Sequence, residues 1–308
     1  MREYYRIMLG AKSVYASELY KDGYVGIGFF EGIDLTGKFP ENWRDFNREF
    51  IPKYLEEHPE KSKVAAGLAC GTTWTLGKGL RKGDIVICPN GEGLYFVGEV
   101  EGDYEYHKGK VLPHRRKVSW YPNLIKREDT SIEFQNSAGS IGTVCNVSRH
   151  SKEIENLIAG MTPALLIARD EDVEDPSIFA LEEHLEDFLI ENWQQVSLSK
   201  KYNIVQEDGE LVGKQYPTDT GPIDILAISK DKKELLVIEL KKGRATDVVI
   251  GQIQRYMGYV KEELAENRQS VKGIVIAYED DIKLQRALSV TQNIDFYKYK
   301  VSFKLEKA

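Results

Sequence analysis

Two acidic residues in the last third of the chain stand where acids are costly. Asp224 lies in Gly221-Pro-Ile-Asp-Ile-Leu-Ala, and Glu239 lies in Leu236-Val-Ile-Glu-Leu-Lys-Lys. A carboxylate inside an apolar strand is unfavourable unless cations or hydrogen bonds compensate it. The two-residue period of a strand puts Glu239 and Lys241 on one face, with Leu240 on the other. If the two strands pair, Asp224 and Glu239 converge on one cation with Lys241 beside it. Such an arrangement suits phosphodiester hydrolysis. Carboxylate oxygens hold Mg²⁺ (or Mn²⁺), the ion polarises a phosphoryl oxygen, and the lysine orients a water or offsets developing charge. The plainer reading is a buried Glu–Lys or Asp–Lys ion pair, which is the usual meaning of an isolated Glu-x-Lys. The apolar strands, the Gly-Pro before Asp224 and the helix that follows favour the site.

That helix is expected from about Thr246 to Glu266 and contains Gly251-Gln-Ile-Gln-Arg-Tyr-Met-Gly-Tyr. Gln252 and Tyr256 are four apart and share a face, which Arg255 joins at the three-residue spacing. Upstream, Leu181, Leu185, Phe188 and Leu189 recur at helical spacing, so a helix is expected from about Ile178 to Trp193. Glu182 and Glu186 lie one turn apart on it. Strands are expected near Tyr202–Gln206, Ile223–Ile228, Leu235–Glu239 and Gly273–Ala277, the middle two joined by a polar hairpin. The order suggests a mixed sheet with helices on its faces.

These motifs, in this order, resemble the PD-(D/E)XK nuclease superfamily and within it the NucS (EndoMS)-like branch. The resemblance runs from Leu181 to Ala277. It implies an α/β restriction-endonuclease-like core, a central mixed sheet flanked by helices, with DNA as the usual substrate. Asp224 and Glu239 would bind the metal and Lys241 would be the catalytic lysine. Glu182 or Glu186 would complete the shell, and Gln252 would contact substrate or order the site. Lys242, Arg244, Arg255 and Tyr256 are candidate DNA contacts. Isoleucine, not proline, precedes Asp224. Many such enzymes act as homodimers, because two strands need two sites.

The first half reads as strand-rich. Tyr24–Phe30, Asp84–Cys88 and Leu94–Val100 are β-type runs between glycine-bearing turns, with one charged helix at Trp43–Glu57 and a short one near Ser151–Ile158. Tyr5-Arg-Ile, Gly23-Tyr-Val-Gly-Ile-Gly28, Lys82-Gly-Asp-Ile-Val-Ile, Tyr95 to Tyr104 and His114 to Trp120 resemble an α+β PUA/EVE-like β-barrel module, as in Mrr-type modification-dependent enzymes. The resemblance implies a base held between aromatic walls. Trp43, Trp74, Tyr95, Tyr104 and Trp120 are the candidate walls, and Arg115 and Arg116 candidate phosphate contacts. Core packing is the competing reading for each aromatic. Gly26 and Gly28 do not belong to a dinucleotide fingerprint.

The expected division is 1–160 for recognition, 161–177 as a charged linker and 178–308 for hydrolysis. At 308 residues the chain has room for two domains. With 42% hydrophobic and 30% charged residues, and no apolar run of membrane length, a cytoplasmic protein without membrane contact is expected. Cys70, Cys88 and Cys145 form no Cys-x-x-Cys unit, which argues against a thiolate zinc site; Cys88 and Cys145 are expected to be buried. The formal net charge of -7 weakens any case for tight non-specific DNA binding. The alternatives are a repair nuclease for mismatched or branched DNA, and a nuclease fold that has lost its chemistry and only binds.

Overall fold

The computed structural model describes residues 2–139, 142–160, 185–266 and 268–300. The chain forms two compact units, Met1–Ile167 and Ala168–Ala308. The expected linker, 161–177, and Glu182 lie outside the described residues. No helix among the described residues is long and apolar enough to cross a membrane.

The first unit is built on a seven-stranded sheet. Its strands are β1 (Tyr4–Ile7), β2 (Tyr24–Ile27), β3 (Ile85–Pro89), β4 (Leu94–Tyr106), β5 (His114–Trp120), β6 (Ile125–Lys126) and β7 (Val144–Asn146). They run in the order β2-β5-β4-β3-β1-β7, with β6 on β4. Among the described strands of this sheet only β1 and β3 pair in parallel. Helices α1 (Ala16–Asp22), α2 (Trp43–Glu57), α3 (Lys63–Trp74), α4 (Ile132–Ala138) and α5 (Ser151–Ile158) complete the unit. Helix α2 appears where its sequence predicts it, started by Asn42, whose side chain accepts from the Arg44 N–H. Helix α3 was not anticipated. Its Lys-Val-Ala-Ala-Gly-Leu-Ala-Cys-Gly-Thr-Thr run has no polar face, and it is buried almost throughout against α2.

The described part of the second unit begins with α6 (Leu185–Glu191), followed by β8 (Tyr202–Ile204), β9 (Lys214–Tyr216), β10 (Ile223–Ser229) and β11 (Glu234–Ala245). Then come α7 (Val248–Tyr259), β12 (Ser270–Asp280), α8 (Ile282–Val290) and β13 (Ile294–Lys298). The sheet is mixed, as expected. Strands β8 to β11 are antiparallel, whereas β11, β12 and β13 are parallel, in the order β13-β12-β11-β10-β8. On one face Ile225, Ala227, Leu236, Ile238, Ile274 and Ile276 pack against Leu185, Leu189 and Trp193. Helix α7 packs against β11 and β12 and ends earlier than its pattern suggests, in a wider π-type turn over Val260–Leu264.

Candidate active site

The β10–β11 hairpin puts the two acids together. Ile225 stands opposite Ile238 and Leu226 opposite Val237; one step further along this register Asp224 faces Glu239. Directly opposed residues share a sheet face, so both carboxylates project on the same side. Backbone and side-chain donors then fix Asp224. Leu240 N–H donates to its Oδ2 at 2.7 Å, and Gln215 Nε2 donates to its Oδ1 at 3.2 Å.

Glu239 is 3% exposed. One oxygen accepts from Lys241 Nζ at 2.8 Å, while Oε2 is buried with no partner among the described residues. Burial and the Asp224 charge push its carboxyl above the usual range, against the pull of Lys241. Lys241 also donates to Gln252 Oε1 at 3.0 Å, and Gln252 Nε2 donates to the Tyr256 hydroxyl at 3.3 Å. The lysine ammonium is thus held between a strand carboxylate and an α7 amide. Tyr256 is buried and closes the back of the site over Gly221. A Cβ on Gly221 would stand 3.0 Å from that hydroxyl, and its φ of +122° suits glycine alone.

Glu186, on α6, reaches the site. Its Oε2 accepts from Gln215 Nε2 at 2.5 Å, the same nitrogen that serves Asp224. Its Oε1 is buried without a partner among the described residues. Burial first, and then the Asp224 charge, push its carboxyl up to about 7. Gln215 was not anticipated from sequence. Its φ of +48° is a strained backbone for a side chain of this type, and it sits on a three-residue strand within a turn-rich loop. Only the β9–β10 pairing, Ile223 with Tyr216 and Ile225 with Lys214, shows that its amide lies between two acids.

The surrounding chemistry fits a hard divalent ion. The available donors are carboxylate oxygens, two of them buried and unfilled, with neither thiolate nor imidazole at hand. Among the described residues no three His, Cys, Asp or Glu side chains stand close enough to hold an ion alone. Asp224 and Glu239 would therefore share it with water or substrate oxygens, a division typical of Mg²⁺.

Other candidates fare differently. Arg255 is exposed on α7, Arg244 is engaged by Glu279 at 3.0 Å, and Lys242 contributes described backbone only. In the first unit, the candidate phosphate contacts Arg115 and Arg116 are buried, 2% and 3% exposed. Arg115 donates to Leu112 O and Val111 O, and Arg116 to Gly102 O, Leu76 O and Leu80 O. The aromatic candidates are packed or bonded rather than arranged as an open cage. Trp74 stacks on Trp43 and donates to Pro40 O, Tyr95 is buried against Phe134, and Trp120 lies against Tyr20 and Phe96. The Tyr104 hydroxyl meets His114 Nδ1 at 2.6 Å. Cys88 is buried, whereas Cys145 is only partly so.

Comparison with known proteins agrees with the motifs. Residues 182–302 match the family described as endonuclease NucS C-terminal domain. Residues 5–148 match a domain of unknown function, DUF8426. Endonuclease NucS of Methanocaldococcus jannaschii is 23% identical over 198 residues, covering 64% of each chain. Its counterpart in Pyrococcus abyssi is 23% identical over 177 residues, 58% of this chain and 60% of the relative. The chain thus spans under two thirds of the length of these curated relatives. Among solved structures, a repair endonuclease from Pyrococcus abyssi aligns at TM-score 0.31 and 17% identity, over 69% of this chain and 66% of that one. An EndoMS–dsDNA complex aligns at 0.33 and 13%, over 68% and 62%. With an acid pair, lysine and helix glutamine in the order of the PD-(D/E)XK motif, residues 182–302 are similar to the endonuclease NucS C-terminal domain.

Proposed function

We propose that this chain is a Mg²⁺-dependent DNA endonuclease of restriction or defence type, with Mn²⁺ able to replace Mg²⁺. The first unit, in this reading a PUA/EVE-like module, selects modified or foreign DNA, and the second cuts it. One observation carries the hydrolytic part: Asp224 and Glu239 face one another across a hairpin, with Lys241 held beside them by Gln252. The relatives named Endonuclease NucS support the same reaction class.

Each residue has a role in this reading. Asp224 and Glu239 hold the ion with water or substrate oxygens, and Glu186 fixes the Gln215 amide beside Asp224. When bound, the ion supplies Lewis acidity toward a phosphodiester oxygen. Lys241 places an ammonium where charge accumulates on the phosphoryl group and can orient the attacking water. Gln252 and Tyr256 hold Lys241 in register, and Arg255, exposed on the same helix, contacts the DNA backbone. Cutting both strands calls for two copies of the site, hence a homodimer. Three free thiols suit the reducing cytoplasm in which such an enzyme would work.

The test is digestion of methylated, mismatched, branched and plain duplexes with Mg²⁺ or Mn²⁺, beside Asp224→Ala. Cutting confined to modified duplexes supports the full reading. Cutting confined to mismatched or branched DNA replaces defence with repair, and no cutting of any substrate leaves a binding protein.

A further inference from the structure

In the first unit, well apart in sequence from the acid site, a cavity of about 370 Å³ opens beside the loop that follows α3. Lys78, Lys82, Phe39, Tyr104 and Arg116 are among its lining residues. The chain leaves α3 through a wide π-type turn over Thr75–Gly79, a feature that often marks functional sites. Gly77 lets the Phe39 ring lie against this turn; a Cβ there would come within 2.1 Å of the ring. The turn also aims the carbonyls of Leu76 and Leu80 at Arg116 Nη1, at 3.0 and 2.6 Å.

Arg116 is the unusual member. It is 97% withdrawn from solvent, and its Nε donates to Gly102 O at 2.9 Å. Among the described residues its Nη2 has no acceptor. A buried guanidinium therefore keeps one donor uncommitted in a residue that lines a cavity. At the rim, Lys78 pairs with Glu41, and Lys82 pairs with Asp103 at 2.8 Å. Those acids are 88% and 84% exposed. Such solvent-facing pairs hold weakly, so both lysines can turn to an arriving anion. Asp103 is the one acid among the lining residues.

We propose that this cavity is a phosphate-binding site, with Arg116 Nη2 as its fixed donor and Lys78 and Lys82 as its mobile cations. The ligand is a phosphate group, supplied either by a DNA backbone or by a free nucleotide. A guanidinium locked by three carbonyls is pre-organised, so binding loses little side-chain freedom there. The site needs no divalent ion and stands or falls independently of the hydrolytic reading.

The test uses the full chain in EDTA, so that cleavage plays no part. The Arg116 Nε–H resonance is followed by NMR while inorganic phosphate, adenosine monophosphate or a short DNA duplex is added, each against chloride at equal ionic strength. Phosphate and at least one nucleotide ligand should shift the resonance. Lys78→Ser/Lys82→Ser, confined to the exposed rim, should weaken binding about fivefold to tenfold and lower the salt dependence by about one ion per lost contact. A response to the duplex identifies the DNA backbone as the source, and a response to the small anions alone identifies a free nucleotide. A resonance that moves no further than in chloride, or binding that the double variant leaves unchanged, overturns the proposal.

Discussion

Both units bury charge, but they treat it in opposite ways. In the first, Arg115 and Arg116 send most of their donors to backbone carbonyls, and His114 bridges the Tyr104 hydroxyl and Phe30 O. These charges and dipoles hold strands, a turn and a loop in place. In the second, Asp224 repels both Glu239 and Glu186, and one buried oxygen of each glutamate lacks a partner among the described residues. A fold tolerates such frustration at a cost in stability, which a bound cation can return. Buried charge marks function when its bonding capacity is left unfilled, and architecture when it is filled.

The largest effect should separate the units by activity. Glu239→Gln and Asp224→Asn should each lower DNA cleavage by about a thousandfold or more, equivalent to about 4 kcal/mol of barrier. The same Glu239→Gln should leave metal-free stability at pH 8 unchanged or raise it by up to about 2 kcal/mol, because a crowded buried charge disappears. Arg116→Met should do the reverse. It strands the carbonyls of Gly102, Leu76 and Leu80 and should cost about 3 kcal/mol or more, read from urea unfolding.

A smaller effect concerns Gln215. Gln215→Gly relaxes a positive φ, so thermal stability should hold or rise by about 1 kcal/mol. Removing the amide between Glu186 and Asp224 should still raise the Mg²⁺ concentration needed for half-maximal cutting by about tenfold. Parallel losses of stability and metal response would demote Gln215 to a structural part of the loop.

The smallest effect is on the pH response of the first unit. Burial, with Arg149 nearby, pushes His150 down to about 4 from an ordinary 6.5. The folded state prefers the neutral ring, so this contribution is complete above pH 6.5 and is lost as pH falls toward 4. Hydrogen-exchange protection of β1, β3 and β4 should fall by about 1–3 kcal/mol over that window. His150→Gln should flatten the dependence.

Much of the second unit was legible in the sequence because its signals are local. Acids in apolar strands, a two-residue period from Glu239 to Lys241 and a four-residue period from Gln252 to Tyr256 each carry their geometry with them. Gln215 was not legible, since its role depends on strand β9 pairing with β10 across a loop. The role of Glu186 was open for a similar reason: its helical spacing is shared by Glu182, and only the β9–β10 pairing brings Gln215 to Glu186. In the first unit, the burial of Arg115 and Arg116 was not legible. Strand alternation cannot reveal that β5 lies between β2 and β4, where two successive arginines find carbonyls on both faces. Helix α3 escaped notice because a helix buried all round has no amphipathic period to read.

The central claim is that Asp224 and Glu239 together take a divalent ion. The most direct measurement is electron paramagnetic resonance of Mn²⁺ titrated into the chain with an uncleavable phosphorothioate duplex. The account predicts a bound-Mn²⁺ signal that saturates in the wild type, is lost in Asp224→Asn and Glu239→Gln, and persists in Arg116→Met to the extent that variant stays folded. Equal Mn²⁺ binding by the wild type and the two carboxylate variants would contradict it.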